Sequence, residues 1–168
     1  MAPKGNNYAF IDGQNLHMGI KKLGWDLDYQ KFRVYLKEKY HVTNAYLFMG
    51  FIPANEMLYN RLVSSGFILV FKPTTLHGNK KFKGNIDADL VLKTIVEFPH
   101  YDRAVVVTSD GDFYSLVAHL RSQNKLETIL SADRSHCSRL LRRSAKERIQ
   151  FLDELKDRLN TKTKRGTS

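Results

Sequence analysis

The sequence predicts an α/β fold, a three-layer sandwich with helices on both faces of a mostly parallel central sheet. Two observations carry that expectation. Short apolar runs rich in β-branched and aromatic residues recur along the chain, as strands buried on both faces do. Between most of them lie stretches with apolar residues at helical spacing. Strand and helix alternate in this way where right-handed crossovers return the chain to one sheet, the arrangement called Rossmann-like. The 168 residues match one ordinary domain. No linker or repeat divides them, so one domain is expected over 1–160, with a polar, basic tail at 161–168 that reads as disordered.

The elements follow in order. YAFI at 8–11 is the first strand. Asp28 caps a helix carrying Phe32, Tyr35 and Leu36 on one face. Tyr29, Phe32, Tyr35 and Tyr40 are expected to pack in the core or a dimer contact. AYLFMGF at 45–51 is the second strand, and Asn55 caps a helix with Leu58, Leu62 and Val63 inward. FILVF at 67–71 is the third strand. A helix from Asp87 to Phe98, with Leu90, Val91, Ile95 and Phe98 inward, is closed by Pro99. AVVVT at 104–108 is another strand, followed by a helix at 113–121 through Leu116, Val117 and Leu120, and by ETIL at 127–130. Past Leu130 the pattern weakens to a helix at 138–143, a short strand at 149–152 and an amphipathic helix through Leu155 and Leu159.

Composition narrows the function classes. No apolar run approaches the ~18 residues that span a bilayer. The N-terminus has no apolar signal-peptide core, so a cytoplasmic protein is expected. The single cysteine, Cys137, rules out an internal disulfide and a multi-cysteine zinc site. A net charge of +10 favours a polyanionic partner, because clustered Lys and Arg release counterions condensed on phosphates.

In a parallel sheet, ligands bind where loops leave the carboxyl ends of the strands. The first strand ends in Ile11-Asp12-Gly13-Gln14-Asn15 and the AVVVT strand in Ser109-Asp110-Gly111-Asp112. Asp87 and Asp89 open the helix after Lys83-Gly84-Asn85. Taken singly, each aspartate is also an ordinary helix cap. Together they converge if the central strands are neighbours. Two carboxylates ~4 Å apart repel by about 4 kcal/mol at an effective dielectric of 20, so a cluster must take up protons or a cation. Oxygen-only ligands suit Mg²⁺ or Mn²⁺ rather than zinc. A hard cation among acids, in a basic chain, points to phosphodiester hydrolysis. His17, His77 and His119 are scattered and are expected at the surface or in packing.

FIDGQN at 10–15, KGNIDADLVL at 83–92 and VTSDGDFYSLV at 107–117 resemble, in order and spacing, the three signatures of the NYN domain family, in its LabA-like bacterial branch. The resemblance covers about residues 7–132. It implies a PIN-like nuclease fold, an acid cluster that binds Mg²⁺ or Mn²⁺, and ribonuclease activity. On the matching positions, Asp12, Asp87 and Asp110 would form the metal-binding core, with Asp112 a further ligand or water-orienting base. Asn15 would be a supporting ligand or phosphate contact, and Asp89 and Ser109 stand beside these as supporting residues.

Two basic concentrations complete the expectation. Lys72, Lys80, Lys81 and Lys83 lie around Phe82 in a segment read as a loop. Lysines interleaved with an aromatic suit single-stranded RNA, and equally a solvated loop. Arg139, Arg142 and Arg143, with Lys146 and Arg148, form either an RNA-facing strip or a charged solvent face. A homodimer fits a small nuclease gripping a longer strand. The competing function is an RNA-binding regulatory module with a non-catalytic metal site. Phosphoryl transfer on a small molecule is a third, though no GxxxxGK[ST] cradle is present.

Overall fold

The computed structural model describes residues 5–72, 75–77, 80–82 and 86–161, excluding the side chains of 75–77 and 80–82. Residues 162–168 of the expected tail, and Lys83, therefore lie outside the described residues, as do the side chains of Lys80, Lys81, Phe82 and His77.

Fully apolar stretches become the centre of the sheet. Strands β1 (Asn7–Asp12), β2 (Val42–Gly50), β3 (Phe67–Lys72), β6 (Ala104–Val107), β7 (Leu126–Ser131) and β8 (Ile149–Phe151) pair in the order β3-β2-β1-β6-β7-β8, every pair parallel. A hairpin of β4 (Thr75–His77) and β5 (Lys80–Phe82) stands apart as an antiparallel pair, in the segment expected to be a loop. The chain runs outward from β1 to β3, then crosses back to lay β6 on the other side of β1. The strand order reverses there, which is where parallel sheets open a crevice.

Alternation along each strand divides the core in two. Ala9 and Ile11 join one apolar cluster and Phe10 the other. Helices α1 (Gly13–Lys22), α2 (Tyr29–Tyr40), α3 (Glu56–Ser64) and α7 (Lys156–Leu159) cover the first face through Leu16, Phe32, Leu62 and Leu159. Helices α4 (Ile86–Val96), α5 (Tyr114–Ser122) and α6 (Arg139–Ala145) cover the second through Leu90, Leu116 and Leu141. The fold is thus the expected mostly parallel α/β sandwich. Phe32, Tyr35 and Tyr40 are buried, and Tyr29 sets its ring edge-on to Phe67 at 6.0 Å.

Several local expectations are corrected. Helix α1 was not anticipated: its first residues, Gly13, Gln14 and Asn15, were read as the loop that leaves the first strand, yet Leu16 and Ile20, four apart, bury its inner face. Val63 is 57% exposed, whereas Leu62 faces the core as expected and Tyr59 joins it. Asn55 makes no side-chain cap bond, whereas Asp28 accepts from the Lys31 N–H at 3.0 Å as expected. Ile95 is also exposed, and Phe98 leaves helix α4 for a separate 3₁₀ turn that contains Pro99. The last amphipathic helix shrinks to one 3₁₀ turn, Leu152–Leu155, followed by the single turn of α7.

Gly13 is needed for close approach. A Cβ built there would meet the Phe48 carbonyl oxygen at 2.7 Å, and that backbone cannot yield without breaking the β1–β2 pairing. Gly13→Ala is therefore expected to cost about 1–3 kcal/mol, as overpacked sites do, read as a lower urea midpoint at unchanged slope.

Candidate metal centre

Strand register brings the acids together. Ile11 pairs with Val107, so Asp12, the last residue of β1, comes level with Thr108 just past the end of β6. Thr108 is buried, and its hydroxyl donates to Asp12 Oδ2 at 3.3 Å while accepting the Asp110 N–H at 3.1 Å. One side chain therefore fixes two acids. Asp12 also caps α1, accepting the Asn15 N–H on Oδ1 at 3.3 Å. Asp110 caps a 3₁₀ turn, Gly111–Phe113, accepting the Asp112 N–H at 2.9 Å. The helix-cap and cluster readings of these residues thus hold together.

Asn15 Oδ1 accepts the Ser109 N–H at 2.8 Å and so ties the start of α1 to the loop after β6. The Ser109 hydroxyl in turn lies 2.7 Å from that of Ser131, at the end of β7. Both residues serve as bracing for the acids. Asp87 enters from the first turn of α4. Asp12, Asp87 and Asp110 each offer a carboxylate oxygen within 4.8 Å of the others, though they are separated by up to 98 positions in the sequence.

Crowding has an electrostatic cost. Asp12 is only 5% exposed, and burial pushes its carboxyl up to about 6, with the Asp87 and Asp110 charges adding and the Asn15 and Thr108 hydrogen bonds opposing. Burial, then the charges of Asp110 and Asp112, raise Asp87 as well. A carboxylate this reluctant to ionise beside two others is relieved by a cation. Three oxygen donors facing a cleft of about 360 Å³ suit a hard divalent ion that keeps some of its water. Mg²⁺ or Mn²⁺ therefore fits the donor set.

The other expected site residues separate. Asp112 is exposed and falls outside the three-carboxylate group, reaching the cluster through its charge on Asp87. Asp89 sits two residues beyond Asp87, about 200° around the helix, and pairs with Lys72 at 3.6 Å. Arg139 and Arg143 share an exposed face of α6, whereas Arg142 is part-buried, with its Nε shielded from solvent and without a hydrogen-bond partner. Cys137 is buried, and burial raises its thiol, which suits the inert role expected of it.

Sequence reasoning missed Thr108, which it counted as a strand residue. It missed Lys22 and His136 too, although both line the cleft beside the acids. No local pattern marks them. His136 comes from the loop after β7, in a segment to which no role could be given.

Comparisons with known proteins agree with this architecture. The chain is 28% identical over 134 residues to the low amplitude and bright protein LabA of Synechococcus elongatus, covering 74% of this chain and 72% of that protein. A crystal structure of a protein of unknown function from Vibrio parahaemolyticus superposes with a TM-score of 0.79 at 22% identity, over 95% of this chain and 99% of that one. It shares the fold. The NYN domain profile matches residues 8–153, which extends past the signatures into α6 and β8. The chain belongs to the NYN domain family, and three of its carboxylates meet where the strand order of the sheet reverses.

Proposed function

We propose that this protein is a divalent-metal-dependent ribonuclease that hydrolyses phosphodiester bonds in single-stranded RNA, in RNA processing or turnover. The observation that carries the proposal is the meeting of Asp12, Asp87 and Asp110 within 4.8 Å at the switch point of the sheet. Asp12, Asp87 and Asp110 would hold a Mg²⁺ or Mn²⁺ ion, which would supply positive charge toward the scissile phosphate and the attacking water. Thr108 and the Asn15 N–H keep the Asp12 carboxylate aimed, so little reorganisation of it is needed when substrate arrives. Asp112, exposed and near enough for its charge to act on Asp87, would orient water. Lys22 on the cleft wall and the exposed Arg139 and Arg143 supply fixed positive charge for the RNA backbone, as would the lysines at 72, 80, 81 and 83.

The test is cleavage of end-labelled single-stranded RNA with Mg²⁺, Mn²⁺ or EDTA, run beside Asp110→Asn. Losing a residue that merely orients a metal ligand costs roughly 10–100-fold, so losing a ligand carboxylate is expected to cost more. Binding of RNA should survive the substitution. Wild-type protein that binds RNA with Mn²⁺ but never cuts it would instead identify an RNA-binding regulatory module.

A further inference from the structure

The cleft beside the acids is also lined by a histidine outside the three-carboxylate group. His136 lines the same cavity as Asp12, Asp87 and Asp110. Its Nδ1 lies 2.9 Å from both carboxylate oxygens of Asp133, which is itself only 8% exposed. The imidazole is 59% exposed, so the ring is anchored through one nitrogen while much of it stays open to solvent.

The loop that carries this pair is tied to the acid cluster at both ends. At its start, the Ser131 hydroxyl bridges to that of Ser109 at 2.7 Å and donates to the Asp133 carbonyl at 3.4 Å. At its end, the Ser138 N–H donates to the Ser109 carbonyl at 3.1 Å. Ser109 immediately precedes Asp110. Ser138 also packs against Gly111 so closely that a Cβ there would collide with its hydroxyl. Between these ties the Arg134 guanidinium lies 4.6 Å over the Phe151 ring. His136 is therefore held in register with Asp110 by the fold.

A carboxylate on Nδ1 selects the tautomer with the proton there, leaving Nε2 to exchange protons with a ligand, and it steadies the imidazolium. Lys22, another basic residue lining the cleft, supplies positive charge. Hydrolysis of an internucleotide bond expels an alkoxide, which is a poor leaving group unless it is protonated.

The geometry points to His136, oriented by Asp133, as the general acid that protonates the leaving nucleoside oxygen, an inference that rests on the ribonuclease proposal. Water oxygen bonds to phosphorus as the bond from phosphorus to the leaving oxygen breaks. The Nε2 proton passes to that oxygen, the proton lost by water goes to solvent, and His136 is reprotonated from solvent for the next turnover.

The test sets His136→Asn beside wild type and Asp110→Asn, on RNA and on thymidine 5′-p-nitrophenyl phosphate, whose phenolate departs without a proton. Loss of a general acid is expected to lower kcat on RNA about 10²–10⁴-fold, with a loss on the aryl ester at least about tenfold smaller. Asp110→Asn should lose both activities. In the metal-free wild-type protein, ¹⁵N spectra of the neutral imidazole should place the proton of His136 on Nδ1. Equal losses of His136→Asn on both substrates, or no loss on RNA, would overturn the general acid while leaving the ribonuclease standing. A neutral ring protonated on Nε2 would overturn it too. Wild type inactive on both substrates with Mn²⁺ would overturn both proposals together.

Discussion

Asp12→Asn is expected to make the metal-free protein more stable at pH 8 while abolishing metal-dependent RNA cleavage. The two effects have one cause. Burial holds the Asp12 carboxyl at about 6, against an ordinary value near 3.8, so the folded state binds a proton between those pH values that the unfolded chain has released. Stability therefore falls as pH rises from about 4 to 6, and above 6 the folded protein carries an ionisation cost of about 3 kcal/mol on an order-of-magnitude basis. Asparagine keeps an oxygen for the Asn15 N–H and removes that cost. The variant's advantage should vanish as pH falls through 6 toward 4, where Asp12 is protonated in wild type as well.

Saturating Mn²⁺ should reverse the ranking at pH 8. An ion that binds only the folded state at 100 times its Kd adds about 2.7 kcal/mol, a gain that the variant should largely lack. Thermal melts of both proteins at pH 4.5 and 8, with and without Mn²⁺, check the whole pattern. Equal melting temperatures at pH 8 without metal would mean that the Asp12 carboxylate is not strained by its surroundings.

Phe10→Ala is expected to cost about 3–5 kcal/mol, the range for emptying a buried aromatic site. Phe10 is fully buried one strand position from Ile11 and two from Asp12. Its ring stacks on Tyr46 at 5.6 Å with 12° between planes and meets Tyr101 edge-on at 5.6 Å. Strands on both sides and a helix layer above prevent the cavity from collapsing. Ile68→Ala, on the edge strand β3 where the side chain is already exposed, should cost far less. Urea unfolding of the two variants side by side measures the difference. Similar costs would mean that the centre of the sheet relaxes as easily as its edge.

The same contrast between centre and edge explains what the sequence made legible. YAFI and AVVVT read clearly because strands buried on both faces need no polar alternation. Helix α3 packs at the edge of the sheet with only Tyr59 and Leu62 buried, so its periodicity misplaced Val63. Helix α1 was hidden because its N-cap Asp12 and its first residues, Gly13 to Asn15, carried the site motif and were read as a strand-end loop, which drew attention away from the i, i+4 pair Leu16 and Ile20. In the site, Asp12, Asp87 and Asp110 were legible from acids that follow or open regular elements. What separated Asp89 from Asp87 was helical rotation, and what demoted Asp112 was its position on a 3₁₀ turn facing solvent. Thr108 depends on its contact with Asp12 from a distant segment, and His136 on the fold bringing its loop to the cleft of the acids, neither of which a short window contains.

The reversal of strand order also divides ownership of the cluster. Strands β1 to β3 come from the first half of the chain and β6 to β8 from the second, and the two halves meet along the pairing of Tyr8–Ile11 with Ala104–Val107. Asp12 belongs to one half, Asp87 and Asp110 to the other. Neither half alone owns a full set of ligands, so an ion bound here acts as a clasp across the seam, and its affinity is a gauge of how firmly the two halves are joined.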